Sequence, residues 1–164
     1  MFPNDIQRLA ASVIAAASAR GWTVATAESC TGGLVAGALT AVAGSSSVVD
    51  RGFVTYSNAA KSEMLGVPAA LIVRHGAVSE PVARAMATGA REAAKTALAV
   101  SITGVAGPGG GSDEKPVGLV HFGCATPQGL VHDKQLFGDI GREEVRLESV
   151  RVALGLLLAA CEAG

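Results

Sequence analysis

Aromatic side chains are scarce in this chain, with one tryptophan, one tyrosine and four phenylalanines among 164 residues. Hydrophobic residues nonetheless make up 49% of it. The core must therefore be built from Ala, Val, Leu and Ile, with backbones in close approach. An excess of one charge is missing as well. Lys and Arg number 13 against 14 Asp and Glu, a net charge of −1. That balance leaves no basic field for nucleic acid or an anionic membrane surface, although a few local donors would suffice for a small anion. Cysteine is sparse. Cys30, Cys124 and Cys161 are odd in number and lack C-x-x-C spacing, which excludes a disulfide framework and a zinc site. His75, His121 and His132 show neither H-x-x-x-H nor H-x-E spacing, so no metal is expected. No run approaches the roughly 18 uninterrupted apolar residues of a membrane span. The opening "MFPNDIQRLAASVIAAASARG" has no basic n-region, and Asp5, Arg8 and Arg20 interrupt its apolar stretch. It does not read as a signal peptide, and the expected location is cytoplasmic.

What is present is an alternation of two periodicities. Ile6, Leu9, Ala10, Val13, Ile14 and Ala17 recur at helical spacing, which predicts an amphipathic helix over 4–19 stopped by Gly21. "WTVATA" reads as a buried strand, and "TGGLVAGALTAVAG" as a helix of small residues ending at Gly44. "SVVDRGFVTYS" is β-rich, and "NAAKSEMLG" predicts a short helix capped by Ser57 or Asn58 with Gly66 at its end. "SEPVARAMATGAREAAKTA" predicts a helix with Ser79 as N-cap and Pro81 in its first turn. Its inner stripe is expected to be Val82, Ala85, Met86, Gly89, Ala90 and Ala93. "LAVSIT" is a near-continuous apolar strand, as in a sheet covered on both faces. "VGLVHFGCAT" and "LVHDKQLF" flank "PQG" as a hairpin, and a last helix runs from about 141 to 160. This order predicts an α/β fold, a three-layer α/β/α sandwich with a mixed β-sheet. Residues 1–164 read as a single domain, with no internal repeat or linker.

Three stretches carry candidate chemistry. In "ESCTGG", Ser29, Cys30 and Thr31 sit at a strand-to-helix turn, where free N–H groups and the positive end of a helix dipole are available. A nucleophile here would have an oxyanion site beside it, and Gly32 and Gly33 would admit a substrate close to the backbone. The same residues serve equally as a Ser/Thr helix cap. In "GFVTYSNAAKSEMLG", Lys61 falls in the first turn of a helix, where the dipole opposes a cation. A general base there must be neutral near pH 7, which burial would favour. Tyr56, the only tyrosine, could stack on a flat ring or relay a proton; an exposed lysine and a half-buried tyrosine are the alternatives. In "SITGVAGPGGGSDEKPVG", a long glycine-rich loop follows the strand ending at Thr103. It matches neither the P-loop nor the dinucleotide fingerprint. Its backbone N–H groups, Gly104 and Gly107 among them, either line a small-ligand pocket or form a surface connection. Arg142 and Arg146, four apart at the start of the last helix, could meet a phosphate or remain solvated.

Taken in order, "TAESCTGG", "GFVTYSNAAK", "GAVSEPVA", "SITGVAGPGGGSDEKPVG" and "FGDIGREEVR" resemble the CinA C-terminal domain family over residues 6–160, in its stand-alone form. The resemblance implies an α/β/α fold, a homodimer, no metal and no cofactor. It implies hydrolysis of the carboxamide of nicotinamide mononucleotide to nicotinic acid mononucleotide and ammonia. Ser29 would be the nucleophile, Lys61 its base, and Tyr56 a third catalytic group. Thr31, Gly32, Gly33, Thr103, Gly104, Gly107 and Arg142 would bind substrate. "GDIGR" carries two residues more than the family's usual G-D-R ahead of Arg142. The expected partner is a small nucleotide, with neither nucleic acid nor membrane. A non-catalytic nucleotide- or partner-binding module of the same fold, or an amidase acting on a related pyridine carboxamide, is the alternative.

Overall fold

Small residues and few rings demand close layers, and the computed structural model, which describes residues 1–163, provides them as a five-stranded sheet between two sets of helices. The chain runs α1 (Asn4–Ala19), β1 (Val24–Glu28), α2 (Leu34–Thr40), β2 (Val49–Val54), α3 (Asn58–Leu65), α4 (Ala69–His75), α5 (Glu80–Ala94), β3 (Leu98–Gly104), β4 (Leu119–Thr126), β5 (Gly129–Leu136) and α6 (Arg142–Ala163). The sheet order is β2-β1-β3-β4-β5. β1 pairs in parallel with β2 and β3, whereas β3, β4 and β5 pair antiparallel. The α/β/α sandwich with a mixed sheet is therefore the observed architecture.

Burial follows the strand pleat. Val24 of β1 joins one apolar cluster with Val13, Leu39, Val150 and Leu154 of α1, α2 and α6. Ala25 and Ala27 join the other, with Leu65, Ile72, Val82 and Met86 of α3, α4 and α5. Burial of these side chains, at about 25 cal/mol per Å² of apolar surface, is the main force holding the layers together. Glycine sets the closest approaches. A Cβ on Gly89 of α5 would lie 1.9 Å from the Leu65 carbonyl oxygen at the end of α3. One on Gly123 of β4 would lie 2.6 Å from the Ala83 carbonyl oxygen.

Several local expectations are corrected. The second helix ends at Thr40, well before Gly44. The Thr40 hydroxyl donates back to the Ala36 carbonyl at 2.8 Å, and the chain then turns through Gly44 at φ +83° into a single 3₁₀ turn. α4 was not anticipated. On α5, Ala93 is exposed, while Ala83, Ala87 and Ala94 are buried. The helix is rolled toward the sheet because Gly123 lets its Ala83 edge seat directly on β4. Ser79 precedes α5 as expected but makes no cap bond to it; its hydroxyl donates to the Gly76 carbonyl at 2.8 Å. Of the two candidate caps for α3, Ser57 takes the role, its Oγ accepting from the Ala60 N–H at 3.0 Å. The last helix extends to Ala163.

Candidate active site

The chain order around the sheet creates a crevice. β1 connects to β2 through α2 on one face, and β2 connects to β3 through α3, α4 and α5 on the other. The chain thus leaves the carboxyl ends of β1 and β2 on opposite faces of the sheet, while β1 and β3 stay paired as far as Glu28 and Ile102; the crevice outside these carboxyl ends is the position at which open α/β sheets hold ligands. Ser29 follows β1 immediately and is fixed by the last rungs of the ladder. Its N–H donates to the Ile102 carbonyl of β3 at 2.9 Å, and the Thr55 N–H donates to the Glu28 carbonyl at 2.9 Å.

The residue before the serine relieves it of the capping task. Glu28 is fully buried, and its two carboxylate oxygens accept from the Val35 and Ala36 N–H groups at 2.9 and 3.1 Å. An anion at the positive end of α2 satisfies two orphan donors and the dipole together. The expected Ser/Thr cap is replaced by this carboxylate. Sequence reasoning passed over it, although an acidic residue just ahead of a glycine-rich helix start was the available signal.

The free serine meets the lysine. Lys61 of α3 is 1% exposed, and its Nζ lies 3.0 Å from Ser29 Oγ. The same Nζ donates to the Thr55 carbonyl at 2.9 Å and to the Tyr56 carbonyl at 3.3 Å. Among the described residues it forms no ion pair. Burial lowers its pKa below the ordinary lysine value, with a smaller opposing contribution from Cys30. Two carbonyls and the Ser29 hydroxyl accept from Nζ; once the amine is neutral it can keep two of these donations, and its lone pair is free to take the serine proton. Cys30 is the rival nucleophile and is also buried. Desolvation pushes its thiol up to about 11, which keeps it protonated at neutral pH.

A cavity of about 310 Å³ opens onto this pair, lined by Ser29, Lys61, Tyr56 and Asn58, by Ala77 and Val78, by Thr103 through Gly107, by Gly109 and Gly110, and by Arg142. Cys30 also reaches it. The Thr103 hydroxyl donates to the Ala77 carbonyl at 2.9 Å, tying β3 to the wall ahead of α5. Arg142 spans the mouth, donating to the Gly107 carbonyl at 2.7 Å and to the Tyr56 hydroxyl at 3.1 Å. The two extra residues before it thus leave it at the cavity. Tyr56 is 61% exposed, so its ring stands at the rim. The glycine loop is strapped down by Lys115, whose Nζ donates to the His75 carbonyl at 2.5 Å.

Other predicted groups lie elsewhere. Thr31, Gly32 and Gly33 are not among the lining residues, and the Gly32 N–H is engaged by the Ser29 carbonyl at 3.0 Å. Arg146 does not reach the cavity either, because its guanidinium binds backbone carbonyls behind the nucleophile turn. His121 Nδ1 lies 2.9 Å from His132 Nε2, apart from the lining. Among the described residues, no three His, Cys, Asp or Glu side chains gather as metal ligands, and no helix is long and apolar enough to cross a membrane.

Comparison with known proteins places this geometry among relatives. The family model for the CinA C-terminal domain matches residues 6–161. A protein of Escherichia coli strain K12 named nicotinamide-nucleotide amidohydrolase PncC is 50% identical over 159 residues, covering 96% of this chain and 95% of that protein. A CinA-like protein of Anaeromyxobacter dehalogenans strain 2CP-C is 56% identical over 146 residues, but these are 88% of this chain and only 35% of the relative. The chain thus spans about a third of the length of that longer protein. The crystal structure of the competence/damage inducible protein CihA from Agrobacterium tumefaciens superimposes with a TM-score of 0.96 at 54% identity, covering 98% of both chains.

Proposed function

The chain belongs to the CinA C-terminal domain family, and from that premise we propose that it hydrolyses the carboxamide of nicotinamide mononucleotide, releasing ammonia and nicotinic acid mononucleotide. The observation that carries this reading is the buried Lys61 amine, 3.0 Å from Ser29 Oγ and without a carboxylate partner among the described residues. An amide carbonyl is a poor electrophile and needs both an activated nucleophile and a stabilised oxyanion. The near-complete match to a relative named for this activity supports the choice of substrate.

Each step balances with the groups at hand. Neutral Lys61 takes the Ser29 proton as Oγ attacks the carboxamide carbon, and a free N–H of the turn after Ser29, not the engaged one of Gly32, would hold the oxyanion. The lysine ammonium returns its proton to the departing nitrogen, ammonia leaves, and an acyl-serine remains. Water then attacks under the same base, and the acid and free serine are restored. This is a Ser–Lys variant of the triad logic. Arg142, with the backbone of Gly104 and Gly107, would receive the phosphate end of the nucleotide, and the Tyr56 ring at the rim would cover the pyridine. Thr103 would hold the cavity wall. None of these steps draws on a cofactor. We place the protein in the cytoplasm as a homodimer, with the exposed apolar Val54 and Leu136 on the two edge strands in favour of a covered surface.

Purified protein incubated with nicotinamide mononucleotide should release ammonia and the acid nucleotide in equal amounts. Tight binding without ammonia would favour the non-catalytic module instead. Turnover confined to another pyridine carboxamide would move the substrate but keep the chemistry.

A further inference from the structure

Arg146 lies one helical turn after Arg142, yet the two side chains are committed to different tasks. Arg146 is half-buried on α6 and forms no ion pair among the described residues. Its Nε donates to the Cys30 carbonyl at 3.0 Å and its Nη2 to the Thr31 carbonyl at 3.3 Å. Nη2 also lies 3.4 Å from where a Cβ on Gly32 would stand. A guanidinium that neutralises no carboxylate and instead clamps the two carbonyls following a nucleophile needs an account.

Peptide geometry supplies one. The only cis peptide among the described residues is Gly107–Pro108, so the Cys30–Thr31 peptide is trans. A trans peptide points its N–H opposite to its carbonyl. With the Cys30 carbonyl turned to Arg146, the Thr31 N–H is turned away from that guanidinium; Thr31 itself is fully buried, and Cys30, the other end of the same peptide, lines the cavity. That N–H has no hydrogen-bond partner among the described residues, whereas the next one, from Gly32, closes the turn onto the Ser29 carbonyl. We infer that Arg146 is a positioning residue for the oxyanion site, orienting the Cys30–Thr31 peptide so that the Thr31 N–H meets the oxygen of the reacting carbonyl. The inference rests on the acyl-serine chemistry proposed above.

Two physical effects follow. The clamp holds the peptide plane before substrate arrives, so no reorganisation accompanies charge development. A cation on the carbonyl also polarises the peptide and strengthens its N–H as a donor, as in a cooperative hydrogen-bond chain. Thr31 thus enters the site through its backbone. Its hydroxyl is buried without a partner and plays no part in this arrangement.

The test compares nicotinamide mononucleotide with its thioamide, in which sulfur replaces the carbonyl oxygen and accepts hydrogen bonds poorly. Wild-type protein should prefer the amide. Arg146→Ala should lower kcat on the amide by about 100-fold, the typical effect of losing one oxyanion donor, with KM changed less than about threefold. Its amide-to-thioamide ratio of kcat/KM should fall by roughly tenfold or more, and Arg146→Lys should recover part of that ratio. The ratio is independent of the fraction of folded enzyme, so a purely structural role would leave it unchanged. An unchanged ratio, or a rise in KM with kcat intact, overturns the inference. A wild type that releases no ammonia from the amide refutes the underlying function instead.

Discussion

Ser29→Ala and Cys30→Ala make opposite predictions for two adjacent side chains, and the structure supplies the magnitudes. The Ser29 hydroxyl has one side-chain partner, Lys61 Nζ at 3.0 Å. Its removal costs about 1 kcal/mol, the net worth of one hydrogen bond. In a domain of this size that moves Tm by about 2–4 °C. Activity, by contrast, should fall about 10⁴-fold or more, as for other nucleophile deletions, which is at least about 5 kcal/mol of transition-state stabilisation. For Cys30 the balance reverses. With its thiol pushed up to about 11 by burial, Cys30 stays protonated near neutral pH and offers no thiolate. Cys30→Ala loses a buried side chain, costing about 1–2 kcal/mol, and should keep kcat within a few-fold. Thermal melts run beside ammonia release read both quantities on one preparation. A Ser29→Ala protein that turns over normally while Cys30→Ala does not would refute the assignment of the nucleophile, and with it the role given to Lys61.

Lys61 ties activity to pH. Its amine must be neutral to act, so kcat/KM should rise with pH through the Lys61 pKa, which burial holds below the ordinary lysine value. Between that pKa and the ordinary one the unfolded chain binds more protons, so stability also rises with pH across this window. Lys61→Met should abolish turnover and flatten that slope in urea melts taken at several pH values, and a slope that persists in the variant would point to another group. Gly89→Ala should destabilise by about 3 kcal/mol or more, because its Cβ would fall 1.9 Å from the Leu65 carbonyl oxygen. A Tm within 2 °C of wild type would show that α3, and Lys61 with it, shifts at little cost.

Much of the fold was legible because periodicity reports burial directly. The stripe from Ile6 to Ala17 and the apolar run at "LAVSIT" appear as α1 and β3. α5 was legible as a helix but not in its rotation, which depends on the missing side chain of Gly123 on a strand far away in sequence. α4 escaped because its seven residues are too few to establish a period. Glu28 was harder to read, because an acidic residue ahead of a glycine-rich helix start marks a cap only weakly until that helix is folded back over it.

By itself, then, the sequence determined which residue types stand at which turns: a serine after a buried strand, a lysine at a helix start, and glycines in a loop after the next parallel strand. Tertiary structure alone decided which of the three neighbouring nucleophiles faces the lysine, that Glu28 takes the capping duty from Ser29, and that Arg142 and Arg146 divide between the cavity mouth and the back of the nucleophile turn. The reason is distance along the chain. Ser29 and Lys61 are 32 residues apart, and Arg146 lies 116 from the carbonyl it holds. Contacts of that range depend on how the layers stack, which local pattern does not encode.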